Sequence, residues 1–196
     1  MNFSKKNVIL VLAGVLLLAV EFILNIGGVK VDVLSDVLGY VLILAGVWNL
    51  SVRNNIFRKS RSTAVKGFIV AVAVQVVYCI NIGEMQANAE LFAKGIATIF
   101  FIYFTYYFME AVALEAKMQN KAAVTRSFRI AWSVFGVMIF AAYIVLNFEA
   151  ITFLAGVAQA LVIVCGIYYA SMLLQACGHL YMDGIPEHAD TTGIGK

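Results

Sequence analysis

The side chains able to do chemistry are few, and most of them interrupt long apolar runs. Glu21, Asn25, Asp36, Gln75, Asn81, Lys94, Asn147 and Gln159 stand there, with Tyr40, Tyr78 and Tyr143 close by in the sequence. A polar group in hydrocarbon costs free energy unless it finds a partner, so such residues mark either helix contacts or a ligand path. Catalytic equipment is missing from the set. The two histidines, His179 and His188, lie in or beside the C-terminal tail, and no H-E-x-x-H, G-x-S-x-G or phosphate-loop motif occurs. With no histidine in the apolar runs, paired haem ligation of the usual kind is not open. Cys177, His179, Asp183 and His188 match no standard zinc spacing. Cys79, Cys165 and Cys177 form no C-x-x-C and are odd in number. Neither an enzyme nor a cofactor nor a metal site is expected.

The surroundings of these residues set the solvent. Of 196 residues, 63% are hydrophobic and 13% charged, whereas soluble domains average about 45–50% apolar and about 25% charged. A globule of this length cannot hide so much apolar surface, so lipid must solvate much of it. A soluble enzyme, a disordered tail and a disulfide-rich secreted domain are excluded together. The net charge of +3 is too small to suggest nucleic acid as a partner.

Crossing about 30 Å of hydrocarbon takes about 20 helical residues. Six stretches qualify: 8–26, 33–52, 66–83, 91–112, 129–147 and 150–176. The expected fold is an all-α, polytopic membrane bundle of six transmembrane helices over 1–176, followed by a cytoplasmic C-terminal tail over 177–196. The single proline, Pro186, lies beyond the last stretch, so no span is broken by proline. The first run is too long for a signal peptide and no small-x-small cleavage site follows it before Glu21, so it is read as retained. Lys5, Lys6, Arg53, Arg58, Lys59, Arg61, Lys66, Lys117, Lys121, Arg126 and Arg129 fall on one side of the bilayer; only Lys30 and Lys94 fall on the other. The positive-inside rule then predicts a multi-pass protein of the cell membrane with both termini cytoplasmic.

The odd-numbered spans close on an aromatic residue followed by Asn: Phe22 and Asn25, Tyr78 and Asn81, Tyr143 and Asn147. Three hairpins repeated in one orientation would produce this, and so would recurrent use of Asn at helix C-termini. The segment Asp32-Val33-Leu34-Ser35-Asp36-Val37-Leu38-Gly39-Tyr40 resembles one in uncharacterised small six-helix membrane proteins of Gram-positive bacteria. Ser35 and Val37 stand where that group has Pro and Phe. The resemblance covers the first hairpin and implies the membrane class without a mechanism. In size, helix number and outward polarity the chain is also similar to the substrate-binding subunits of energy-coupling-factor transporters, although Ala13 is followed four residues on by Leu17, not by the second Ala of their docking stripe.

Helical spacing aligns Gly14, Glu21 and Asn25 on one face of span 1, and Asp36, Gly39, Ile43, Gly46 and Asn49 on span 2. It does the same for Lys94, Thr98, Phe101 and Thr105 on span 4, Ser133, Gly136, Phe140, Tyr143 and Asn147 on span 5, and Thr152, Gly156, Gln159, Ile163 and Gly166 on span 6. Such small and polar stripes face other helices. At 1.5 Å per residue, Glu21 and Lys94 lie about 5–7 Å below the outer surface and Gln75 and Gln159 about 12–13 Å below it. The cytoplasmic half is read as mainly apolar and aromatic. Two readings follow. The polar residues are interhelical glue, or they form an outward-facing pocket: Glu21 partnered by Lys94, Asn25 above, Gln75 and Gln159 below, and Tyr40, Tyr78 and Tyr143 as walls able to hold a cation. The expected function is an integral membrane protein that binds or transports a small polar or cationic solute. The alternative is a non-transporting accessory, sensory or assembly protein. The expected partners are the lipid bilayer, a small-molecule ligand, and a partner membrane subunit or second copy.

Overall fold

The computed structural model describes residues 3–20, 23–26, 29–32, 36–80, 83–147 and 149–180. Six α-helices dominate them: α1 (Phe3–Ala19), α2 (Asp36–Leu50), α3 (Asn55–Cys79), α4 (Gln86–Met118), α5 (Thr125–Asn147) and α6 (Ala155–His179). Between α1 and α2, strands β1 (Ile23–Ile26) and β2 (Val29–Asp32) pair antiparallel, with Asn25 opposite Lys30. Each helix packs on its neighbour in the chain and α6 returns to α1, so the six close into a ring. Contact is most extensive within the pairs α1–α2, α3–α4 and α5–α6. Four helices, α3 to α6, are long and apolar enough to cross a membrane; α2 is apolar but shorter.

The first span departs from expectation. The helix stops at Ala19, and Asn25 lies in β1, so Gly14 and Asn25 do not share a helical face. The reason is local. Two short runs rich in Ile and Val flank Gly27 and Gly28, the pattern that a two-residue hairpin favours. Helices α1 and α2, of 17 and 15 residues, reach only about 26 and 23 Å.

The basic connections are also more helical than expected. Asn54 caps α3, its Oδ1 accepting from the backbone N–H groups of Ile56 and Phe57 at 3.0 and 2.9 Å. Arg58, Lys59 and Arg61 therefore lie within the first two turns of α3. The expected inward stripe on α5 is turned: Phe128, Ala131, Phe135, Ile139 and Ala142 are buried, while Phe140 and Ser133 are exposed. The Ser133 hydroxyl donates to its own helix at the Arg129 carbonyl, 3.0 Å away, so it has no need of a neighbouring helix. On α6, Gly156 likewise faces open space.

Helices α1 and α2 approach closely because glycines line their seam. A Cβ built on Gly14 would lie 2.5 Å from the Gly39 carbonyl oxygen, and one on Gly46 would strike the Asn7 carbonyl. Inside the ring, Phe57, Phe104, Phe108, Phe135 and Tyr169 are fully buried. Phe57 meets Phe108 edge-on, and Phe135 stacks on Tyr169 with centroids 5.5 Å apart.

Candidate functional site

The ring does not close fully at the end that carries β1 and β2. A cavity of about 130 Å³ remains there, and every helix contributes to its wall. The C-terminal turn of α1 supplies Leu18 and Ala19, and the first turns of α2 supply Asp36 and Tyr40. Val74 and Tyr78 come from α3; Lys94, Ala97, Thr98 and Phe101 come from α4. Ile139 and Tyr143 of α5 and Gln159 and Val162 of α6 complete the lining. Phe101 borders the cavity, and its ring meets Phe135 edge-on at 5.9 Å.

Five of the expected residues, Tyr40, Tyr78, Lys94, Tyr143 and Gln159, thus line one cavity although they come from five helices. Gln75 does not join them. It lines a separate apolar groove with Val37, Val72, Val76, Cys79 and Ile80, and its Nε2 lies 3.8 Å from Cys79 Sγ. Helix α3 turns Ala71, Val74 and Tyr78 inward, so the residue after Val74 is rotated about 100° away from them. Glu21, with its expected pairing to Lys94, lies outside the described residues, and Asn25 lies on β1, not on a helix.

The wall is built by specific contacts. Gln159 Nε2 donates to the Ala19 carbonyl at 2.7 Å, satisfying one of the carbonyls that a helix end leaves without an intrahelical partner. The Tyr143 hydroxyl lies 3.5 Å from the Leu91 carbonyl. It occupies space that any side chain at Gly95 would invade, since a Cβ there would lie 2.6 Å from it. Tyr40 is 2% exposed; its ring packs over Gly67, and among the described residues its hydroxyl has no hydrogen-bond partner. On α4 beyond Phe101, Thr105 joins three helices: its Oγ1 accepts from Trp132 Nε1 at 3.2 Å, and its carbonyl accepts from the Tyr169 hydroxyl at 3.3 Å. Replacing Gln159 by leucine should leave the Ala19 carbonyl unpaired and cost about 1–3 kcal/mol. Unfolding midpoints of the two proteins in the same detergent check this, and equal midpoints would show that the bond contributes nothing.

The opposite end holds a polar cluster that the sequence reading missed. Arg53 donates to Glu115 at 2.6 Å, and the two side chains are 6% and 0% exposed. Asn54 Nδ2 donates to the Ala111 carbonyl at 3.2 Å, and Gln119 Nε2 donates to Glu115 Oε1 at 3.3 Å. Arg61 donates to Ser51 Oγ at 3.2 Å while its guanidinium lies over the Trp48 ring, 4.7 Å from the centroid. The one hint in the sequence is an acid, Glu115, among the alanines at the end of α4. Among the described residues, no group of three or more His, Cys, Asp or Glu side chains is placed to hold a metal ion.

Fold and site together define a mainly α-helical chain of membrane type, with a small cavity bordered by all six α-helices of the described residues. Compared with known proteins, it matches no family model, no curated protein and no solved structure.

Proposed function

We propose that the chain crosses the cell membrane six times, with both termini in the cytoplasm, and binds or carries a small polar solute in the cavity from the outer side. The cavity carries this reading. It gathers polar side chains from five of the six helices above an apolar, aromatic interior, which is how small-molecule sites combine shape with a few placed polar contacts. An interior void of about 150 Å³ holds a benzene molecule, so this one, slightly smaller but open at one end, suits a ligand of about five to eight non-hydrogen atoms. The short first pair of helices is consistent with two further crossings, because four strand residues add about 13 Å to each. Exposed Lys5, Lys6, Arg58, Lys59, Lys117, Lys121 and Arg126 all belong to the end opposite the cavity, which supports placing that end in the cytoplasm.

One observation favours the competing reading of an accessory, sensory or assembly protein without a ligand. Gln159 already bonds the end of α1, the behaviour of a residue whose task is packing. A thermal-shift screen separates the two. Stabilisation by a small polar compound, lost in an Ala97→Trp variant that fills the cavity, supports binding. Uniform silence across amines, amino acids, carboxylates and vitamins supports the packing role.

Orientation has its own test. In a chain lacking its native cysteines, Met85→Cys should react with an impermeant thiol reagent on intact cells, and Arg58→Cys should react only after permeabilisation. The reverse pattern would overturn the topology.

A further inference from the structure

We propose that the ligand is a small zwitterion: a compact amino acid or betaine carrying an ammonium and a carboxylate within about five to eight non-hydrogen atoms. The inference rests on the binding reading above and names the class of compound that the cavity selects. Among the described residues its wall carries one acidic and one basic side chain, Asp36 from α2 and Lys94 from α4. A simple cation would be matched by Asp36 and opposed by Lys94, and a simple anion the reverse. A zwitterion satisfies both and brings no net charge into a low-dielectric interior, where an unmatched charge is expensive. Both side chains already engage other groups, and a zwitterion can exchange with those partners without changing the total charge.

The ammonium belongs on the side of Asp36, the acidic group of the wall. The last turn of α1 also borders the cavity there, through Leu18 and Ala19, and favours a cation. The first turn of α2, which Asp36 opens, carries the opposite partial charge, so the side chain and not the helix ends sets the polarity. The carboxylate belongs on the side of Lys94, with Thr98 one helical turn further along α4. The apolar remainder of the wall, Phe101, Ile139 and Val162, limits the ligand to a short aliphatic body.

The test is titration calorimetry on the full chain in lipid nanodiscs. Glycine, alanine, serine, proline and glycine betaine form one panel; ethanolamine and isopropylamine form a second, and propionate and lactate a third. At least one zwitterion should bind at least about tenfold more tightly than every singly charged compound of its size, the weight of one charged hydrogen bond. Asp36→Asn and Lys94→Met should each weaken that binding at least about tenfold. They should also shift preference in opposite senses, Asp36→Asn towards carboxylates and Lys94→Met towards amines. A merely structural role for either residue would not produce this exchange. Equal or tighter binding of amines or carboxylates, abolished by Ala97→Trp, would overturn the zwitterion while leaving the cavity as a binding site. Retention of zwitterion binding in both charge variants would do the same. No binding by any compound would overturn both readings.

Discussion

Arg53→Met should destabilise the protein by about 3–5 kcal/mol, because it strands the Glu115 carboxylate in a buried site. Glu115 is fully buried, and its bond to Arg53 is the short member of a cluster that also includes Asn54 and Gln119. Removing one partner leaves the desolvation cost of the other without compensation, which is why the single variant should suffer more than the worth of the pair itself. The double variant Arg53→Met with Glu115→Leu should therefore recover most of the loss. Unfolding in a denaturing detergent, followed by helical circular dichroism, provides the four stabilities of the cycle. If the double variant loses as much as the two single variants combined, the residues are not coupled and the cluster is incidental.

The second large effect is expected at the α1–α2 seam. Gly46→Val should prevent accumulation of folded protein, and Gly46→Ala alone should cost about 1–3 kcal/mol. The side chain at this position would meet the backbone of Asn7 and the Val11 side chain, and helix backbones cannot yield as a flexible side chain can. The two helices would have to separate along the glycine seam that includes Gly14 and Gly39. Gly156→Ala provides the control. Nothing lies within 4 Å of a Cβ at that site, so the change should be neutral or stabilising by up to about 1 kcal/mol through helix propensity. Monodisperse yield and unfolding midpoint measured side by side decide the matter. Equal behaviour of Gly46→Ala and Gly156→Ala would mean that the seam is not tight.

Helical spacing made part of the site legible, most fully on α2 and α4, while α5 turns Ser133 and Phe140 of its expected stripe outward. Lys94 and Thr98 on α4, and Gly39 and Ile43 on α2, face inward as their spacing implies. Gln159 of the α6 stripe reaches the cavity for the same reason, and Tyr78, expected there from its depth near the end of span 3, does so too. Two features defeat that logic. The change of backbone conformation after Ala19 removes Asn25 from the helical face, and a hydropathy run cannot register it because strand and helix residues there are equally apolar. The small offset between Val74 and Gln75 then decides which side chain enters the ring. Depth arithmetic is blind to that rotation, since residues at one level point in every direction.

Composition and the length of each apolar run alone determine that the chain is mainly helical and of membrane type, because hydrophobic excess and run length are one-dimensional properties. Polar residues in apolar runs likewise announce that something inside the bundle must partner them. Which partner each finds is a three-dimensional property. Arg53 and Glu115 are 62 positions apart and Gln159 and Ala19 are 140 apart, so no local pattern could pair them. Only closure of α6 onto α1 brings Gln159 to the end of the first helix, and only the assembled ring leaves a cavity between Asp36 and Lys94. Burial makes those contacts matter, and burial is settled by the packing of all six helices together.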